Sequence, residues 1–299
     1  MAIMGGRRSR SMVGRTSTCA LVLAILLMLS VVLLILLALG ILSLPINSKT
    51  TPDAFRNSEF RAVSIHESLN FPTDNQKSDG VDGPKQWVEV LSWAPRAFIY
   101  HNFLSKEECE YLISLSKPHM RKSTVVDSGT GRSKDSRVRT SSGMFLRRGQ
   151  DKIIRNIEKR IADFTFIPIE HGEGLQVLHY EPGQKYEPHF DYFLDEFNTK
   201  NGGQRIATIL MYLSDVEKGG ETVFPQSKVT NNSVPWWDEL SECAKSGISV
   251  RPRMGDALLF WSMSPDAKLD PKSLHGGCPV IQGDKWSATK WMHVNEYKI

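Results

Sequence analysis

Four cysteines in 299 residues are too few and too scattered for a closed structural zinc site. His275-x-x-Cys278 has the spacing of one ligand pair, but no Cys-x-x-Cys or His-x-x-His supplies the second. Charge of one sign is equally scarce. The net charge is only +4, and Arg7, Arg8, Arg10 and Arg15 in that excess precede an apolar run, so no nucleic-acid footprint is present. A phosphate loop is also missing: Gly129-x-Gly131 lacks the strand-to-helix setting and the spacing that nucleotide binding needs. No internal repeat is evident.

One long hydrophobic run is present. Cys19 to Leu44 carries no charge, and its 26 residues make a helix of about 39 Å, enough to cross a bilayer with some tilt. A cleaved signal peptide has a shorter apolar core ending at small residues, and Ile41-Leu42-Ser43-Leu44-Pro45 is a poor cleavage site. The run therefore predicts an uncleaved signal anchor. The basic residues before it keep the N-terminus cytosolic and place the remainder in a lumen, as a single-pass type II protein of the endoplasmic reticulum or Golgi membrane. The organisation expected is a cytosolic basic tail (1–18), a transmembrane anchor (19–44), a flexible lumenal stem (45–84) and one large domain (85–299). Two features agree with a lumen. Asn231-Asn232-Ser233 is a sequon that would carry a glycan on Asn231. Cys109, Cys243 and Cys278 could form one bridge; Cys243–Cys278 is the favoured pair, and three buried thiols are the alternative.

Within the large domain the first half carries helices. Ser105-Lys106-Glu107-Glu108 is a capping box, followed at helical spacing by Cys109, Leu112, Ile113 and Ser116. Ile154, Ile157, Ile161 and Phe164 mark a second amphipathic helix. Between them, Arg121 to Arg139 is basic and rich in small residues, and reads as a mobile loop or a lid over a peptide. The second half is strand-rich: 175–180, 185–191, 205–214, 221–225, 248–252, 256–262 and 285–294 are short runs bounded by Gly, Pro or Asn. That spacing argues a mainly β sandwich or jelly roll with flanking helices.

The chemistry lies in that half. His-x-Asp/Glu occurs three times, at His171/Glu173, His179/Glu181 and His189/Asp191. The first falls in loop and the second at the Glu181-Pro182-Gly183 turn, whereas the third follows a strand pattern in which residues i and i+2 share a face. With His275 downstream, His189 and Asp191 make the two-imidazole, one-carboxylate set that holds non-haem Fe(II) and leaves three positions for co-substrates. Lys285 follows a turn at Gly283-Asp284; a hairpin from His275 would put its ammonium one strand from the metal, at a plausible span for a diacid such as 2-oxoglutarate.

These segments resemble the prolyl 4-hydroxylases, most closely the short, membrane-anchored plant and algal type. The resemblance runs from about Val88 to the C-terminus. It rests on Tyr180, His189-Phe190-Asp191, Gly219-Gly220-Glu221-Thr222-Val223-Phe224-Pro225, Gly255-Asp256-Ala257-Leu258-Leu259-Phe260, His275-Gly276-Gly277-Cys278-Pro279-Val280 and Lys285-Trp286. It implies a double-stranded β-helix, with His189, Asp191 and His275 on Fe(II), and Lys285 and the Tyr180 hydroxyl on the far carboxylate of 2-oxoglutarate. O2 would be the second co-substrate and ascorbate the reductant of stalled iron. The implied substrates are proline-rich polypeptides in the polyproline II conformation, which aromatic walls recognise without a polar partner. Tyr186, Trp291, His293, Glu173 and Arg205 match positions associated with peptide contact. The alternatives are an oxygenase of the same chemistry acting on lysine or a small molecule, and a non-catalytic jelly-roll binding protein.

Overall fold

Alternating side chains build the sheets of the described domain. The computed structural model describes residues 26–31, 85–126, 133–135, 137–227 and 236–299. The expected stem, the sequon at Asn231 and most of the expected anchor lie outside the described residues. Residues 26–31 are helical, and among the described residues no helix is long and apolar enough to cross a membrane.

The strands of the first half are β1 (Trp87–Trp93), β2 (Arg96–His101), β3 (Arg121–Lys122), β4 (Thr124–Val126), β5 (Ser133–Asp135) and β6 (Ser142–Leu146). Then come β7 (Leu175–Tyr180), β8 (Tyr186–His189), β9 (Arg205–Tyr212), β10 (Lys218–Gly219), β11 (Thr222–Phe224) and β12 (Ile248–Val250). The last four are β13 (Ala257–Trp261), β14 (His275–Gly277), β15 (Val280–Gln282) and β16 (Lys285–His293). An eight-stranded sheet has the order β1-β2-β13-β9-β16-β7-β6-β3, and a four-stranded sheet the order β12-β11-β14-β8. Neighbouring strands run antiparallel. This mainly β arrangement with few helices fits the expected jelly-roll core.

Two α-helices among residues 85–299 cover one face of the large sheet. Helix α1 (Lys106–Ser116) begins at the expected capping box, with Ser105 Oγ accepting from Glu108 N and the Glu108 carboxylate accepting from Ser105 N. Helix α2 (Lys152–Thr165) is capped by Asp151, whose carboxylate accepts from Ile154 N at 2.9 Å. Their inward residues Leu112, Ile154, Ile157 and Ile161 pack with Val177, Ile209, Met211 and Ala288 from β7, β9 and β16.

The opposite parity of the same strands faces a cavity. On β16, Trp286, Ala288 and Met292 enter the helix-side core, while Lys285, Ser287, Thr289 and Trp291 line the cavity. On β9, Ala207, Ile209 and Met211 pack inward beneath the helices, and Thr208 and Leu210 face the cavity.

Three sequence expectations change. Strand β8 ends at His189, so Asp191 reaches the site from the bend after the strand and not by strand alternation. The expected hairpin from His275 to Lys285 does not form: β14 lies in the four-stranded sheet, β15 pairs with β10, and β16 lies in the large sheet. The first half also holds more than helices, because β1 and β2 pair around a turn at Ala94-Pro95 and add the edge of the large sheet.

Candidate active site

His189 and His275 are opposite one another in the β8–β14 ladder, with ring centroids 4.4 Å apart. Each ring is oriented from behind. His189 Nδ1 donates to the Glu187 carbonyl at 2.9 Å and His275 Nδ1 to the Ser273 carbonyl at 2.9 Å, because a carbonyl can only accept. Both Nε2 atoms are thereby left as lone-pair donors for a metal. Asp191 meets them: its Oδ1 lies 3.7 Å from His189 Nε2 and its Oδ2 3.6 Å from His275 Nε2. All three donor atoms fall within 4.8 Å of one another.

The electrostatics suit a cation. Burial, with His275 beside it, pushes His189 down to about 3, so the imidazole is neutral and free to coordinate. Burial alone would raise the Asp191 carboxyl. His275, Arg205 and the Thr208 hydroxyl are among the groups that outweigh it and hold the carboxyl below its usual range.

Lys285 enters from the large sheet, opposite Tyr180 in the β16–β7 register. Its side chain is 4 % exposed, and Nζ donates to the Gly220 carbonyl at 2.6 Å. Nζ also lies 5.5 Å from the Tyr180 ring centre, and a methyl placed on Gly277 would sit 3.9 Å from it. The ammonium therefore reaches the wall of the four-stranded sheet that carries His275. Burial pushes Lys285 down to about 8 although Glu221 acts to raise it. A buried cation short of counter-charge is what the far carboxylate of a diacid would satisfy. The two-imidazole, one-carboxylate donor set likewise fits Fe(II).

The structure brings His189, Asp191, His275, Lys285, Tyr180, Tyr186 and Trp291 around one cavity. Tyr186 stacks on His189 at 3.6 Å. Glu173, Arg205 and His293 do not line that cavity. They form a network behind it: Glu173 Oε1 accepts from Arg205 Nε at 2.6 Å and meets His293 Nε2 at 2.9 Å. His293 Nδ1 contacts the Gly203 carbonyl at 3.0 Å, so both ring nitrogens are engaged. The Arg205 guanidinium lies 4.1 Å over Trp291 and 4.7 Å over Phe193.

Sequence reasoning missed Arg139 and Thr208. Arg139 ends the basic stretch read as a loop or lid, yet it is buried in the cavity wall, donating to Gln176 Oε1 at 2.8 Å and lying 4.7 Å over Tyr186. Nothing in the local pattern separates it from its neighbours. Thr208 could have been found, because it has the cavity-facing parity of β9. Cys243 and Cys278 form the favoured disulfide, and Cys109 is a free buried thiol pushed up to about 12 by burial.

Residues 175–293, which hold every residue of this site except Arg139 and Glu173, match the 2OG-Fe(II) oxygenase superfamily. Probable prolyl 4-hydroxylase 3 of Arabidopsis thaliana is 69 % identical over 293 residues, covering 98 % of this chain and 99 % of that protein. Prolyl 4-hydroxylase 5 of Arabidopsis thaliana is 65 % identical over 250 residues, covering 83 % of this chain and 84 % of the relative. Among solved structures, the 2OG complex of the viral collagen prolyl hydroxylase of Paramecium bursaria Chlorella virus-1 is 28 % identical. It covers 65 % of this chain and 94 % of its own, with a TM-score of 0.48. The His189–Asp191–His275 cluster and the buried lysine thus sit in a chain alike over nearly its whole length to named plant enzymes, and it belongs to the prolyl 4-hydroxylases, iron- and 2-oxoglutarate-dependent oxygenases.

Proposed function

We propose that this enzyme hydroxylates C4 of prolyl residues in proline-rich proteins of the secretory pathway. The observation that carries this reading is the convergence, in one cavity, of the His189–Asp191–His275 triad with the buried Lys285 ammonium. His189, Asp191 and His275 hold the iron, Lys285 takes the far carboxylate of 2-oxoglutarate, and the Tyr180 hydroxyl hydrogen-bonds the same group. When bound, the iron with its co-substrates supplies the oxidation of a C–H bond to C–OH while 2-oxoglutarate is converted to succinate and CO2. The remaining work belongs to the chain: binding, orientation and exclusion of water.

Tyr186 and Trp291 give the mouth aromatic walls suited to the flat rings of a polyproline II helix. Glu173, Arg205 and His293 support the peptide side from behind by fixing the Trp291 face. Ascorbate keeps the iron reduced. A lumenal, type II membrane setting in the endoplasmic reticulum or Golgi, with a glycan on Asn231, completes the proposal; the Cys243–Cys278 bond supports an oxidising compartment.

The test uses the full-length enzyme in detergent with Fe(II), ascorbate and 2-oxoglutarate. Succinate release should depend on a proline-rich peptide, and mass analysis should find 4-hydroxyproline in it. Equal stimulation by a lysine peptide lacking proline, or none by either, would overturn the assignment.

A further inference from the structure

The three expected iron ligands are secured by different means. His189 and His275 are fixed by ladder pairing and by their Nδ1 bonds to main-chain carbonyls. Asp191 lies beyond the end of β8, without the support of the ladder. Its restraint comes from the facing sheet. Thr208 Oγ1 on β9 donates to Asp191 Oδ2 at 2.6 Å, and Arg205 Nη1 on the same strand donates to the Asp191 main-chain carbonyl at 3.4 Å. Thr208 is 1 % exposed, so the bond is shielded from bulk solvent.

We propose that Thr208 is a positioning residue for the metal, whose hydroxyl holds Asp191 Oδ2 and so fixes how the carboxylate is presented between His189 and His275. The coordination count gives the reason. A carboxylate free to rotate can chelate through both oxygens, and with two imidazoles it would fill four of six positions. A bidentate keto acid and O2 together need three. A hydrogen bond to one carboxylate oxygen makes it the poorer donor, opposes that rotation and sets the plane of the carboxylate before the ion arrives. Outer groups that orient a ligand in this way typically contribute about 10–100-fold to metal affinity. The inference rests on the iron-site reading above and adds to it a residue outside the ligand set.

The test titrates the metal-free, full-length enzyme with Mn(II), following the unbound ion by electron paramagnetic resonance. The variants are Thr208→Val, Thr208→Ala and Thr208→Ser. Ser and Ala both lose the methyl group and differ from each other only by the hydroxyl, so a packing defect is common to both. Val and Ala should weaken Mn(II) binding about 10–100-fold, and Ser should bind close to wild type. Thermal unfolding of the metal-free proteins reports packing separately. Equal Mn(II) affinity for Ser and Ala would overturn the role of the hydroxyl, even if Val fails to fold. A wild-type protein that binds no Mn(II) would overturn the metal site itself, an outcome distinct from failure at Thr208.

Discussion

A buried ammonium is costly unless something negative meets it, and at the residue scale Lys285 is the clearest case. Its bond to the Gly220 carbonyl satisfies one N–H but supplies no full counter-charge. In the role proposed for it, removing Lys285 would leave the far carboxylate of 2-oxoglutarate buried without a partner, at a cost on the order of 3–5 kcal/mol. Lys285→Ala should therefore raise the KM for 2-oxoglutarate by about two orders of magnitude or more, with metal affinity little changed. Lys285→Arg should recover only part, since the longer planar fork displaces the diacid. A pH dependence follows with definite sign. The free enzyme loses the ammonium as pH rises through about 8, so the KM for 2-oxoglutarate should climb above that pH and stay flat below it. Unchanged 2-oxoglutarate titrations in Lys285→Ala would remove the lysine from the site. Asp191→Ala is the companion case. It should abolish hydroxylation while the metal-free protein keeps its far-ultraviolet circular dichroism, because the β core does not rest on that carboxylate.

At the scale of the element, β16 joins the site to the core. Lys285 and Trp291 face the cavity, while Lys290, of the opposite parity, pairs with Glu158 of α2 at 2.5 Å with both side chains almost fully buried. Glu158 also accepts from Gly149 N at 2.8 Å. Breaking such a pair from one side leaves an uncompensated charge, so Lys290→Met should destabilise by about 3–5 kcal/mol. Glu158→Leu combined with Lys290→Met should recover much of that loss, measured by urea unfolding of the metal-free enzyme; a double variant no better than the single one would contradict this account. Elements of this kind were legible one at a time. Leu175–Tyr180 has the expected bounds, the capping box opens α1, and β16 stops one residue short of expectation, because alternation and punctuation are local properties. Pairing is not local. That β13 inserts between β2 and β9, or that β14 and β16 belong to different sheets, depends on contacts between residues far apart in sequence. The expected His275–Lys285 hairpin failed for that reason. Arg139 became visible as part of the cavity wall only once strands from both sheets faced it, whereas the parity of β9 already singles out Thr208.

For the whole molecule, the decisive test is of the proposed anchored, lumenal setting of the catalytic domain. The uncharged run from Cys19 to Leu44 is long enough to span, and Arg7, Arg8, Arg10 and Arg15 precede it. The setting proposed on that basis has the short basic end cytosolic and everything after Leu44 lumenal. Two features of the domain bear on the same point by independent physics. A disulfide joins Cys243 to Cys278, and such bonds persist where the compartment is oxidising. The Asn231-Asn232-Ser233 sequon can be modified only if it is translocated. Protease added to sealed microsomes should therefore remove only the short basic end, and the domain should become digestible once detergent opens the vesicles. Treatment with an N-glycan-removing enzyme should shift the protected fragment, and Asn231→Gln should abolish that shift. Digestion of the catalytic domain in sealed vesicles would reverse the orientation, and the disulfide would then have to survive in a reducing cytosol.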